Sequence, residues 1–217
     1  MAILAIDPGT KTGGALFLVD GAPVIFTLTK PDMFAIVRVV KWAKAMARVP
    51  KRIDDEGNVI EWSEPGSALE LVTEDQHLGR GSKANPATTL SIARAAERWI
   101  AVAELFGLRT IQVQPATWRE PLLGSIPKRD SITGATLDKK ARTKLLVQRL
   151  WAELELHKGE PASTPSKRVN TTRGKLPGDP IDAVGLGYWR LIKGSARPRE
   201  RAPKKRNRTR AAKVSAA

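Results

Sequence analysis

The first thirty residues restrict the fold most. Ile3–Asp7, Gly14–Asp20 and Pro23–Thr29 are short runs rich in β-formers, separated by Pro8-Gly9 and Asp20-Gly21. Turn dipeptides between such runs predict three antiparallel strands. The period then changes. In residues 32–48, Phe34, Val37, Val40, Ala43 and Met46 keep helical spacing, with Arg38, Lys41, Lys44 and Arg48 largely on other faces. That pattern predicts a helix that covers the sheet and keeps a wet basic face.

Residues 49–67, punctuated by Pro50, Gly57, Pro65 and Gly66, read as an inserted loop with a small hairpin around Asn58–Trp62. Ala68–Thr73 is a buried strand. Asn85-Pro86 supplies a cap and a proline at the first helical position, and the helix it opens runs to about Phe106, where Gly107 stops it. Arg109–Val113 is a further strand. Residues 125–137 are loop-like, Leu137–Leu156 reads as a basic amphipathic helix, 158–178 as a mobile segment and Pro180–Ile192 as the last helix. The order βββ–α–β–α–β–α–α predicts an α/β fold, a mixed sheet with helices on both faces.

Charge points to the partner. The chain has 217 residues, with 37 Lys and Arg against 22 Asp and Glu, a net +15. Such an excess suits a polyanion, and nucleic acid is the usual one. Residues 194–217 hold nine of the basic residues and one Glu, and so carry +8 of the excess. This tail of Arg, Lys, Ala and Pro has too little apolar surface to order itself and reads as a disordered phosphate-binding arm. With no cysteine, disulfides, Cys-bound zinc and thiol nucleophiles are excluded. The only histidines, His77 and His157, give a His-rich metal site or a Ser-His-Asp triad little to build on. No apolar run is long enough to span a bilayer and the start lacks a signal-peptide pattern, so a cytoplasmic protein without membrane contact is expected.

Metal-dependent phosphoryl transfer needs hard oxygen ligands and neither His nor Cys. Three places offer them. Asp7 ends the first strand, just before Pro8-Gly9. Glu74 and Asp75 follow the apolar run ALELVT, and strand alternation allows only one of the two to share the face of Asp7. Asp179 and Asp182, in DPIDAVGLGYW, lie i and i+3 at the start of the last helix and share one face. Asp179 before Pro180 also suits an N-cap, and Asp182 suits the positive end of the helix dipole.

Together these motifs resemble the RuvC-type Holliday-junction resolvases of the ribonuclease-H-like nuclease superfamily. ILAIDPGTKTGGALFLVDG is similar to that family's first strand, acidic residue, Pro-Gly turn and second strand. LVTEDQHLG resembles its strand-end Glu motif, which selects Glu74 over Asp75, and DPIDAVGLGYW resembles its Asp-x-x-Asp-Ala helix. The resemblance covers roughly residues 2–30, 68–124 and 138–193. It implies a ribonuclease-H-like mixed five-stranded sheet over residues 1–193. It further implies that Asp7, Glu74, Asp179 and Asp182 bind two Mg²⁺ or Mn²⁺ ions and hydrolyse DNA phosphodiesters at four-way junctions. The insertions at about 49–67 and 125–137 and the basic tail look like the divergent phage and poxvirus branch, in a prokaryotic or phage-infected cell.

The resemblance also implies DNA contacts. His77 holds the place of an aromatic wedge, Arg119 looks like a basic residue that the family keeps after its fifth strand, and Lys139, Lys140, Arg142 and Lys144 lie in the region of another. Trp118 is a core candidate. The helix 86–106, with Ile92, Trp99 and Phe106, matches the family's dimer helix, and two cuts related by near two-fold symmetry imply a homodimer. Three other readings compete. One is a flap, branched-DNA or hybrid-cutting nuclease of the same superfamily, with the same site and different loops. Another is a non-catalytic DNA-binding protein, which four carboxylates facing phosphate disfavour. An actin-like ATPase needs two such domains and a greater length, and no stretch supplies a P-loop.

Overall fold

The computed structural model describes residues 2–9, 11–18, 21–48, 50–56, 58–63, 68–75, 85–131, 133–151, 153–161, 166–170 and 178–193. Three strands come first: β1 (Ala2–Asp7), β2 (Lys11–Phe17) and β3 (Val24–Thr29). Helix α1 (Met33–Met46) follows, then a separate hairpin of β4 (Pro50–Ile53) and β5 (Val59–Trp62). Next come β6 (Leu69–Glu74), α2 (Pro86–Leu105), β7 (Arg109–Val113), α3 (Pro115–Leu123) and α4 (Lys139–Leu150). The last described elements are β8 (Glu153–Lys158), β9 (Ser166–Asn170) and α5 (Gly178–Lys193).

Seven strands form the main sheet in the order β7-β6-β1-β2-β3-β8-β9. Strand β2 is antiparallel to β1 and β3, and β9 to β8, while the other pairs are parallel. The expected five strands are therefore its first five, β7 to β3. The hairpin β8–β9 widens the sheet beyond that expectation. Alternation along β1 divides the core. Ile3 and Ala5 face α3, α4 and α5, whereas Ala2, Leu4 and Ile6 face α1 and α2. Both faces are thus closed by helices, as parallel pairing requires.

Sequence signals placed most elements, and three departures have physical causes. Helix α1 begins where expected, with Asp32 accepting from the Ala35 backbone N–H at 2.7 Å. Its buried stripe, however, is Ala35, Ile36, Val39, Val40 and Ala43. Phe34, expected inside, is 73% exposed. Two apolar stripes of helical period run along this helix, and the sheet takes the β-branched one. Its basic side stays exposed at Arg38, Lys41 and Arg48, as expected, although Arg38 pairs with Glu160 and Lys44 Nζ donates to the Phe106 carbonyl at 2.8 Å.

The second departure is the end of α4. The expected helix to Leu156 stops at Leu150, and Trp151 adopts extended backbone. Glu153–Lys158 reads Glu-Leu-Glu-Leu-His-Lys, a period of two that buries Leu154 and Leu156 in β8 beside β3. The third is β9, within the segment expected to be mobile. The short helix α3 is a further addition to the expected order. Of the insertions, 49–67 contains the β4–β5 hairpin, and the described part of 125–137 makes one isolated bridge, Arg129 to Thr136, with Ile126 buried. The tail, 194–217, lies outside the described residues. Among the described residues no helix is long and apolar enough to cross a membrane.

Candidate functional site

The candidate acidic positions lie at the end of the sheet where β1, β6 and β7 finish. Strands β1 and β6 are parallel and in register, Ile6 opposite Thr73, so Asp7 and Glu74 are the next pair. Side chains at matched positions of neighbouring parallel strands share a face. Here it is the face of Ile3, Ala5 and Val72, the one that α5 covers. Glu74 is 3% exposed there. Asp75 comes after the strand's last residue, with its backbone N–H donating to the Val113 carbonyl at 2.8 Å.

Helix α5 brings the third carboxylate. It starts at Gly178, so Asp179 sits in the first turn rather than at the cap, and its side chain lies outside the described residues. Asp182, one turn on, faces the strand ends. The register of α5 against β6 is held at two points. Near the site, Arg119 bridges Asp182 and Glu74; further along, Arg190 donates to Glu70 Oε2 from Nε at 2.9 Å and Nη2 at 2.8 Å. From Asp182 to Arg190 a helix rises about 12 Å. From Glu74 back to Glu70 a strand runs about 13 Å. These matched lengths let one helix engage both glutamates. Close approach is possible because a Cβ on Gly187 would meet the Phe17 ring at 2.2 Å and Ala5 at 3.0 Å, and one on Gly185 would meet Trp118 at 2.6 Å.

Glu74 is firmly held. Its Oε1 accepts from the Trp118 indole N–H at 2.8 Å and from Arg119 Nη2 at 2.9 Å. The same Arg119 nitrogen is 3.4 Å from Asp182 Oδ2, and the guanidinium stacks on the Trp118 ring at 4.8 Å. Arg119, expected to face DNA phosphates, is therefore turned into the acidic cluster. Trp118 is both fully buried core and a positioning residue for Glu74, a role its apolar context hides in the sequence.

The other basic candidates differ from one another. Arg142 grips the backbone, donating to the Ile126 carbonyl at 2.8 Å and to the Leu123 carbonyl. Lys139 and Lys140 are exposed at the start of α4, and Lys144 is half-buried. His77 lies outside the described residues. Trp99 is fully buried in this chain's own core, while Phe106, just after α2, is only partly buried against it.

Carboxylate oxygens on one face suit a hard divalent cation by donor type. Among the described residues, though, no three acidic or histidine side chains converge as a ready-made metal site. Between Glu74 and Asp182 stands a guanidinium.

Sheet order, strand directions and helices on both faces define a ribonuclease-H-like fold. Among solved structures, the chain is similar to Thermus thermophilus RuvC in complex with Holliday junction substrate, with a TM-score of 0.51 and 13% identity over 89% of this chain and 95% of that one. A further structure of Thermus thermophilus RuvC is similar at a TM-score of 0.49, with the same identity and coverage. The likeness is one of fold. No protein-family model and no curated protein matches the sequence.

Proposed function

We propose that this protein is a metal-dependent DNA endonuclease that hydrolyses phosphodiesters in branched DNA, four-way junctions in particular. One observation carries the reading: Asp7 and Glu74 end adjacent parallel strands in matched register on the face that α5 covers, and Asp182 on α5 is joined to Glu74 through Arg119. Acidic residues gathered on a DNA-binding chain oppose affinity unless a cation intervenes.

Asp7, Glu74, Asp182 and, by its helical spacing, Asp179 would hold the ions, Mg²⁺ or Mn²⁺. Bound there, a pair of such ions supplies an activated water and stabilises the leaving oxygen. This chain's residues do the positioning. Trp118 fixes one oxygen of Glu74, α5 presents Asp182 over the strand ends, and Arg119 keeps the carboxylates close by neutralising their mutual repulsion. Two cuts related by two-fold symmetry require a homodimer. The insertions and the tail support placing the chain nearer the phage and poxvirus branch. Lys139, Lys140 and Lys144 are the proposed phosphate contacts away from the site, and His77, in the wedge's place, is proposed to stack on or hydrogen-bond a base.

A second reading, DNA binding without hydrolysis, is favoured by one feature: Arg119 already neutralises part of the cluster. A panel of a four-way junction, a flap, a duplex and an RNA–DNA hybrid, each with Mg²⁺ and with EDTA, separates the readings. Mg²⁺-dependent cutting of the junction in preference to the rest supports the proposal. Preferential cutting of flap or hybrid moves the activity within the superfamily, and tight binding without cutting supports the second reading.

A further inference from the structure

On the opposite side of the sheet from α5 lies a basic cleft that none of the residues above accounts for. Its larger cavity, about 550 Å³, lies between α2 from Ala87 to Trp99, the start of α1 and the turns after β1 and β3. Lys30, Arg94 and Arg98 line it, and among the described residues none of the three has an acidic partner. Its walls are apolar at Ile36 and Leu90, the latter 44% exposed. Trp99 also lines it, and its buried indole N–H has no hydrogen-bond partner among the described residues. Lys30 adopts a left-handed backbone, φ 46°, unusual for a residue with a side chain.

This cavity continues toward the site. A second cavity, about 530 Å³, shares Gly9, Ala87 and Ser91 with the first and reaches Asp7 and Lys11. Among the described residues, Asp7 is the only acidic one lining either. The two together form one path from the carboxylate edge to the paired arginines of α2. From Ala87 to Arg98 the helix rises about 16 Å, the axial rise of about five nucleotides of a B-form strand.

We infer that this cleft binds the sugar-phosphate backbone of a nucleic-acid strand leading to the site. Arg94 and Arg98 on α2 and Lys30 in the turn after β3 match phosphates, and the apolar wall accommodates sugars and bases without reading sequence. A second copy of the chain is the poorer occupant, because a two-fold axis through this face would set the same cations against one another. The direction of the strand, toward Asp7, rests on the nuclease reading; the binding itself does not.

The test is fluorescence anisotropy of the full chain with a labelled single-stranded oligonucleotide in EDTA, as a function of salt. Each single-strand phosphate that a variant no longer neutralises lowers the slope of log K against log salt by about 0.7. The variant Lys30→Gln/Arg94→Gln/Arg98→Gln should therefore have a slope shallower by about 2. Its affinity loss between 50 and 200 mM salt should then shrink about twentyfold relative to the parent. The three side chains lie at the surface and the melting temperature checks the fold. Because the chain has no cysteine, Ser91→Cys also gives a single attachment point, which should cross-link to an oligonucleotide carrying a thiol-reactive backbone group. An unchanged slope in a folded triple variant overturns the inference. So does a change of oligomeric state with unchanged DNA binding, which assigns the face to a second copy. Failure of the nuclease reading is seen separately, as absent Mg²⁺-dependent cutting by the parent, and leaves this slope measurement unaffected.

Discussion

Arg119 carries a positive charge to the point where a divalent ion would be expected, 2.9 Å from Glu74 and 3.4 Å from Asp182. An ion that uses these two carboxylates takes over the work of the guanidinium. In Arg119→Gln the two acids face each other uncompensated, so the metal-free protein should lose about 1–3 kcal/mol. Mg²⁺ should restore more stability to the variant than it adds to the parent. Thermal denaturation with and without Mg²⁺ checks this, and equal Mg²⁺-induced shifts in the two proteins would count against it. Among single residues the sequence was legible for the acids and less so for their partners. Alternation alone left Glu74 and Asp75 open, and the resemblance chose Glu74, whose position beside Asp7 follows from strand register. Arg119 and Arg142 read as exposed cations because a sequence does not show where a long side chain turns. One enters the acidic cluster and the other grips the carbonyls of Leu123 and Ile126.

Among the elements, α5 sets the geometry, and its glycines let it lie close. In Gly187→Ala, the better helix propensity of alanine gains up to about 1 kcal/mol. The Cβ meets the Phe17 ring at a distance that real contacts do not show and Ala5 more tightly than most do, and overpacking of that kind costs about 1–3 kcal/mol. The clash should win, giving a lower melting temperature and weaker activity through displaced Asp182; a raised melting temperature would contradict this packing. A second contact, between Arg38 of α1 and Glu160 after β8, makes a pH prediction. The Arg38 guanidinium holds the Glu160 carboxyl below its ordinary value of 4.5. A lowered folded-state value means that the pair's contribution is complete above pH 4.5 and is lost as pH falls through the folded value. Melting curves of the parent and Glu160→Gln should therefore differ near neutrality and converge in acid. Periodicity located α1, α2 and α5 because caps and apolar spacing act locally. It misjudged the phase of α1 and the end of α4, since either stripe of α1 satisfies a helix and only the sheet chooses, and since the short run 153–158 carries a strand period that a preceding helix masks.

The molecule as a whole divides its charge unevenly, with +8 of the net +15 in residues 194–217. Removing that segment should reduce the salt dependence of DNA binding by about 0.9 for each duplex phosphate it had neutralised while sparing the folded site. An unchanged slope would show that the tail is not a phosphate arm. The first five strands of the sheet were readable because β1 to β3 are joined by short turns and β6 and β7 are bounded by clear punctuation. The two added strands were not, because β9 is polar and gains its place only by pairing with β8.

If Asp7, Glu74 and Asp182 work together on a phosphodiester, each must be needed for cutting and none for holding DNA. The decisive measurement is cleavage of a four-way junction in Mg²⁺ by the parent, Asp7→Asn, Glu74→Gln and Asp182→Asn, with junction affinity measured in EDTA for each. The parent should cut, and EDTA should abolish the cutting. Each variant should fall at least about a thousandfold, roughly 4 kcal/mol of barrier, with binding largely intact. A parent that binds without cutting, or a Glu74→Gln variant with full activity beside an inactive Asp75→Asn, would refute the shared role of these three carboxylates.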